Sequence, residues 1–471
     1  VEFSLFSCPG IVALKRRMKK VTGNKSAWLL EGIDPYVLFF FRILYGLFMV
    51  YEMIDYFRIG LIRNMFFLPV TNFKYDYLKW LEPLPETWMN GLLAVLVICS
   101  LCITLGLFFK WACRIFAIGY AYLFLLDKGL YNNHIYLFIL LAVLLSFTDA
   151  DKGLSLKNRK PLAIPFQIPR WQVFILQVQI MIVYFYGGIA KLTYDWLALC
   201  QPVRFLLDTL PPEHFLTALL KNEVAVYVLN YGGLLIDLLA PLLLWYKPVR
   251  KWGVFPFIIF HATNSRIFND IGIFPYLMLC GLILYYTTDE LPFGKKLKSW
   301  FAGRSGITSD KHSTPQRFIP SFAFTYIVGP YFVFQLLFPF RGHFLPNNLD
   351  WTTIGNRFSW RMKVDTRQIE EIQFTAFEPT TNKSYPIDIR TRVNDMQILN
   401  MSMDPRSVAD FARHLKKEAL DFGMQEPQIK ASIKLIYNRR PAQYFVNPQV
   451  DLSEVTYSPF KKLNWVIPLK K

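Results

Sequence analysis

Three titratable side chains lie far apart along the 471-residue chain, beside long apolar runs that suit acid–base chemistry. His134 follows Asn132-Asn133, where one run begins. Lys191 closes another run, just after Gly187-Gly188. His261 ends a third, in Phe260-His261-Ala262-Thr263-Asn264. A lysine serves as a base at neutral pH only where burial depresses its pKa, and the end of an apolar helix supplies that burial. Each residue also has an ordinary reading. A lysine at a span end is commonly an anchor that snorkels to the headgroups. A histidine at a helix end is commonly a satisfied hydrogen-bonding group. A depth shared by all three would favour function, and that depends on how the apolar runs cross the membrane.

The elements that must position them are membrane helices. Hydrophobic residues make up 53% of the chain and aromatics 17%. The apolar ones cluster in long blocks up to about residue 340, of the length that crosses roughly 30 Å of hydrocarbon. Nine spans are expected, at about 36–59, 91–109, 111–126, 133–147, 173–192, 224–246, 250–263, 271–287 and 319–340. The seventh is the weakest, because it is brief and contains Pro256.

Charge supports this count. The net charge of +18 would ordinarily point to nucleic acid, but the excess sits in short loops between apolar blocks. Lys15, Arg16, Arg17, Lys19, Lys20 and Lys25 precede the first span. Lys110 and Arg114 flank the turn after the second. Lys152, Lys157, Arg159, Lys160 and Arg170 follow the fourth, Lys247, Arg250 and Lys251 the sixth, and Lys295, Lys296, Lys298 and Arg304 the eighth. With nine spans, all these groups fall on one side, which the positive-inside rule makes cytoplasmic. His134, Lys191 and His261 then share the opposite side. No nucleic-acid partner is expected.

Arg42, Glu52, Asp55 and Asp237 lie within spans, where charge is costly; pairing between helices is the favoured reading. Phe and Tyr crowd spans five, seven and eight, fitting either a flat apolar ligand or lipid contact. The six cysteines have no zinc-site spacing and no disulfide pattern.

The organisation expected is a basic cytoplasmic segment (1–33), a transmembrane helical domain (34–340) and an extracytoplasmic α+β domain (341–471). In the last, Asp404-Pro405 is an N-cap followed by proline at the first helical position, opening a helix that ends before Gly423. Gln368–Phe377 and Tyr385–Arg392 read as a hairpin, and Gln428–Tyr437 alternates like a further strand.

Ordered strings across this length carry a resemblance: WLEPLP at 80–85, FLLDK at 124–128, NNHIYL at 132–137, IVYFYGGIAKLTYDW at 182–196, FHATNSRIF at 260–268, HFLPNN at 343–348, FSW at 358–360, EPQI at 426–429 and SPF at 458–460. The chain resembles the vitamin K-dependent gamma-glutamyl carboxylase family, within the broader group of horizontally transferred transmembrane domains. The resemblance implies oxygenation of vitamin K hydroquinone by O2 to the epoxide. That reaction yields a strong base which removes a γ-hydrogen from a glutamyl residue, and CO2 then adds. It makes Lys191 the base, ties His134 to carboxylation and His261 to the quinone, and leaves Asn133 and Asn264 as quinone-pocket candidates. Glutamyl recognition carries over to Trp351, Ser359, Trp360 and Arg367, with Arg367 as the carboxylate clamp. No metal is expected. The partners implied are a glutamate-containing exported protein or peptide, membrane lipid and a vitamin K-reducing enzyme.

The chain departs from the family at Ala190, Asn356 and Asp365. The cysteine pair of animal members is not found, and their β-rich, propeptide-binding C-terminal domain is expected to be missing. A compact bacterial-type member in an inner membrane is therefore expected, or the endoplasmic reticulum membrane in a eukaryote. Two other readings stay open: a quinone epoxidase that does not carboxylate protein, and a transporter or lipid-binding protein on the same scaffold, supported by Arg42 and Asp237.

Overall fold

The computed structural model describes residues 28–157, 166–211, 217–267, 271–292 and 324–470, together with Gly294 and Lys296. Residues 1–27, Arg159, Lys160, His214, Lys295, Lys298, Arg304, His312 and the start of the expected ninth span lie outside them.

In chain order the helices are α1 (Tyr36–Arg58), α2 (Glu86–Leu105), α3 (Phe109–Leu126), α4 (Asn133–Leu145), α5 (Trp171–Ala190), α6 (Glu223–Trp245), α7 (Lys247–Ile267), α8 (Phe274–Gly281), α9 (Gly329–Leu337), α10 (Asp395–Met403) and α11 (Pro405–Asp421). Among the described residues five, α1, α2, α3, α5 and α6, are long and apolar enough to cross a membrane. That makes the chain a helical integral membrane protein and is fewer than the nine spans expected. The physical reasons are local. α4 has 13 residues and is only about 20 Å long. α8 tightens into a 3-10 turn at Leu282–Tyr285. α7 has 21 residues, but Lys247, Arg250 and Lys251 occupy its first turns and Pro256 its middle.

Loop contacts sort the helix ends into two sets. At one end Arg170 pairs with Glu31 at 2.8 Å, Lys110 with Asp149 at 3.1 Å and Arg250 with Glu290 at 2.7 Å. Buried Arg42 donates to the Leu154 carbonyl at 2.5 Å in the same layer. Gly106 leaves room for it, since a Cβ there would overlap the guanidinium. At the other end, the loop after α1, the α3–α4 turn and the segment after α5 all bind residues 341–470.

That C-terminal region folds as an antiparallel sheet of β1 (Arg367–Glu378), β2 (Lys383–Ile387), β3 (Gln428–Tyr437) and β4 (Gln443–Tyr444), in the order β2-β1-β3-β4. Every second residue of β3 is buried, and that face packs on Val408, Phe411, Ala412 and Leu415 of α11. Asp404 caps α11 through the Arg406 N–H, and Gly423 takes φ 94° just beyond its end. α10 carries a capping box of Asn394 and Gln397, and went unpredicted because it is short and weakly amphipathic.

The docking is polar and specific. Phe73, from the loop after α1, inserts into the C-terminal core. Fully buried Asp127 accepts from the Phe73 and Gly129 N–H groups and from Gln397. Buried Lys128 pairs with Asp410 at 3.2 Å. Arg406 bridges Asp404 at 2.8 Å and Asp76 at 3.1 Å, and Arg357 reaches Asp404 at 2.7 Å. Burial alone would raise the Asp404 carboxyl, but Arg406, Arg357 and Lys128 outweigh it and hold the group far below the usual carboxylate range.

Asp404→Asn should therefore lower stability by about 3 kcal/mol at neutral pH, since it leaves largely buried Arg357 without its carboxylate and Arg406 with Asp76 alone. Because the folded state depresses this carboxyl, its contribution is complete above about pH 4 and is lost below it. Thermal unfolding in lipid should show a constant gap between wild type and variant from pH 7 to about pH 4, narrowing under more acid conditions.

Candidate active site

Lys191 caps the C-terminal end of α5 and is buried. Its Nζ donates to Asp237 Oδ2 at 2.5 Å and to the Gly187 carbonyl at 3.2 Å. It also lies 5.2 Å from the Trp196 ring centroid. The glycine pair permits this approach. A Cβ on Gly187 would sit 3.0 Å from Asp237 Oδ2, and one on Gly188 would sit 2.6 Å from Leu238 Cδ2. The chain beyond Lys191 folds back as a lock: Trp196 Nε1 donates to the Asn230 carbonyl at 3.1 Å, and Asn230 Nδ2 to the Trp196 carbonyl at 3.0 Å. Asp195 then grips Arg440 through two 2.6 Å contacts and Asn438 through another. Burial would raise the Asp195 carboxyl, but these donors turn the net shift downward.

His261 is 2% exposed. Its Nε2 shares a 2.8 Å hydrogen bond with the Tyr184 hydroxyl. Its Nδ1 is buried and has no partner among the described residues. His134 stacks on Phe274, with centroids 3.9 Å apart and ring planes 11° apart. The same Phe274 ring meets His261 edge-on at 6.5 Å.

One cavity of about 360 Å³ is lined by His134, Lys191, Asp237, His261 and Asn264. Its walls are mainly apolar, with Tyr184, Pro256, Phe260, Phe274 and Met278 among them, and the Gly232-Gly233 pair widens the α6 side. Met362 and Lys363, from the segment after Phe358-Ser359-Trp360, form the wall contributed by the C-terminal region. That segment is strained: Phe358, Trp360 and Lys363 adopt φ of 62°, 59° and 50°, each costing roughly 1 kcal/mol or more. Contacts from the α3–α4 turn hold it. The Phe358 N–H donates to Tyr131 Oη at 2.5 Å, Tyr131 donates to Asn133 Oδ1 at 2.8 Å, and Asn133 Nδ2 donates to the Arg361 carbonyl at 2.9 Å.

The structure thus brings Lys191, His134, His261 and Asn264 together. Asn133 supports the wall from behind. The other four candidates are not in the lining. Trp351 is buried in the C-terminal core and donates to the Ile467 carbonyl. Trp360 stacks on Tyr136 at 4.7 Å. Ser359 donates to the Gly355 carbonyl and accepts from Arg341. Arg367 donates to the carbonyls of Trp351, Ser402 and Asp350 and pairs with Asp365 at 3.1 Å. Sequence reasoning missed Lys363, whose position three residues past Phe358-Ser359-Trp360 was the available signal. It also missed the partner of Asp237. Lys191 ends α5, whereas Asp237 is the fifteenth residue of α6, so their numbering hides that they meet.

Residues 31–289 match the HTTM domain, and residues 321–471 match the vitamin K-dependent gamma-carboxylase lumenal domain. The chain belongs to the vitamin K-dependent gamma-carboxylase family. No solved structure matches it. Family membership implies use of vitamin K hydroquinone and glutamate-containing protein substrates. The cavity fits an aromatic quinol: its walls are apolar, ring faces are at hand, and a buried imidazole nitrogen lacks a partner. Among the described residues no group of three or more His, Cys, Asp or Glu side chains is arranged to hold a metal ion.

The two glycine faces give a test of helix packing. Gly188→Ala should cost about 1–3 kcal/mol, because α6 backbone and Leu238 block the added methyl. Gly232→Ala, with no atom within 4 Å, should stay within about 0.5 kcal/mol of wild type. Thermal unfolding of both variants in lipid provides the comparison.

Proposed function

We propose that this chain couples oxygenation of vitamin K hydroquinone to its epoxide with carboxylation of protein glutamyl residues to gamma-carboxyglutamate. The observation that carries this reading is the convergence of Lys191, His134 and His261 on one apolar cavity from three different helices. When bound, the hydroquinone supplies, with O2, the base strength needed to remove a glutamyl γ-hydrogen before CO2 adds. Lys191 Nζ takes the hydroxyl proton. His261, fixed through Nε2 by Tyr184, offers Nδ1 to the quinol. His134, held flat on Phe274, serves the carboxylation step, and Asn264 orients the ring. The apolar walls exclude water that would quench a strong base. Lys363, a cation in the lining, draws in the glutamyl carboxylate.

In this reading the short helices α4, α7, α8 and α9 complete nine crossings, and the cavity faces the non-cytoplasmic side, where exported proteins pass. The domain division at about residue 340 follows from the same topology. The cavity's place between helices and C-terminal region suits a lipid-soluble quinol meeting a water-soluble peptide.

The second reading, quinol epoxidation without protein carboxylation, is favoured by one observation: the donors of Arg367 are engaged by backbone carbonyls and Asp365. An Arg367 clamp for glutamate would have to release them.

The test is incubation of the protein in lipid with vitamin K hydroquinone, labelled CO2 and a short glutamyl peptide. Label in the peptide together with epoxide supports the carboxylase; epoxide alone supports the second reading; neither product removes both. Lys191→Ala should reduce epoxide formation by about 10²–10⁴-fold with unchanged folding, and small added amines should restore part of it. Undiminished epoxide in that variant would exclude Lys191 as the base.

A further inference from the structure

The Lys191–Asp237 contact changes what the base can be. A lysine paired at 2.5 Å with a carboxylate is held as an ammonium, and an ammonium accepts no proton. Conversely, a lone neutral amine that took the quinol proton would have to create a new ion pair, ammonium and quinolate, where none existed in this apolar cavity. Both difficulties vanish if the two groups act together. Of the described residues lining the cavity, only Asp237 bears a carboxylate.

We propose that Asp237 is a positioning and proton-accepting partner of Lys191, so that the pair rather than the amine alone is the base. The step balances as a proton transfer without redox change. As Nζ gains a proton from the quinol hydroxyl, an existing Nζ–H bond breaks and that proton forms an O–H bond on Asp237 Oδ2. Lysine begins and ends as ammonium, the carboxylate becomes a neutral carboxylic acid, and the negative charge passes to the quinol oxygen beside the ammonium. The cavity therefore keeps one positive and one negative charge throughout. This deepens the carboxylase reading and rests on it.

The surroundings suit the transfer. The titratable groups facing the pair across the cavity are Tyr184 from α5, His134 from α4, His261 from α7 and Lys363 from the C-terminal wall. None is a carboxylic acid that could replace Asp237. Gly187 is the device that lets the two groups close, because a Cβ there would stand 3.0 Å from Asp237 Oδ2 and 3.9 Å from Lys191 Nζ. The lysine is also fixed from its far side by the Gly187 carbonyl and the Trp196 ring, so the shared proton has a defined path.

Asp237→Asn tests this with two readouts that should move in opposite directions. Epoxide formation should fall by about 100-fold or more, mainly in kcat, with the rate profile against pH displaced. Labelling of Lys191 in the ligand-free protein by a small acylating reagent, read by mass spectrometry, should rise about tenfold or more, as expected of a lysine deprived of its counter-ion in apolar surroundings. Asp237→Glu, which keeps a carboxylate, should recover part of the epoxide formation lost in Asp237→Asn and hold Lys191 labelling below that variant's. A variant whose site has merely collapsed would lose both signals together. Unchanged labelling in Asp237→Asn, or undiminished epoxide formation, overturns the proposal. If wild type itself forms no epoxide, the carboxylase reading fails, whereas the labelling comparison still decides whether the two side chains share a proton.

Discussion

Everything at this site depends on keeping an ammonium and a carboxylate in contact inside an apolar helical bundle. Removing either ion from water costs several kcal/mol, and contact between them returns that cost only with good geometry. Here the geometry comes from backbone rather than from other charges. Gly187 and Gly188 let α6 approach α5, the turn at Lys191 ends α5 beside the middle of α6, and the Trp196–Asn230 lock prevents the following segment from swinging away. The pair in turn sets the electrostatics of the cavity, supplying its one carboxylate among the described lining residues.

The C-terminal region completes the cavity and is fastened accordingly. Asp127, Lys128, Asp195 and Asp76 of the membrane-side loops meet Gln397, Asp410, Arg440 and Arg406 of the other partner. Tyr131 and Asn133 brace the segment that bears Met362 and Lys363, and that bracing offsets the positive φ angles there. The same turn carries His134, because Asn132 caps α4 through the His134 N–H. One short stretch of chain therefore orients an imidazole and supports the opposite wall, which couples the two sides of the cavity mechanically.

Apolar run length located most helices to within a few residues, as α1, α3 and α6 illustrate, because hydrocarbon imposes a length that composition can report. It overstated the α-helical part of the eighth span, which tightens into a 3-10 turn at Leu282–Tyr285, while the start of the ninth lies outside the described residues. The Asp404-Pro405 signal and the alternation of Gln428–Tyr437 were readable since both are local physics. Lys191, His134 and His261 line one cavity, as their expected places at like ends of their apolar runs suggested. The Asp237 contact was beyond reach, because no periodicity encodes how far one helix slides along another.

A distinction follows for the ordered strings that carry the family resemblance. Several of them prove to be fastenings. Asp127 and Lys128 in FLLDK hold the C-terminal region, Asn347 in HFLPNN binds the Lys461 carbonyl and the Leu463 N–H, and Asn133 in NNHIYL secures Arg361. The cavity-lining residues proposed to react occupy single positions inside such strings, His134 beside Asn133 and Lys191 ahead of Asp195. Adjacency has a physical logic: a reacting group tolerates little displacement, so the residues that anchor its backbone to a neighbouring element sit one to four positions away. Arg367 illustrates the converse. Its guanidinium has the right chemistry for a carboxylate, yet its donors are spent on the carbonyls that join Trp351 to Ser402. Residue type proposes a role, and the partners already bound decide whether the side chain remains able to perform it.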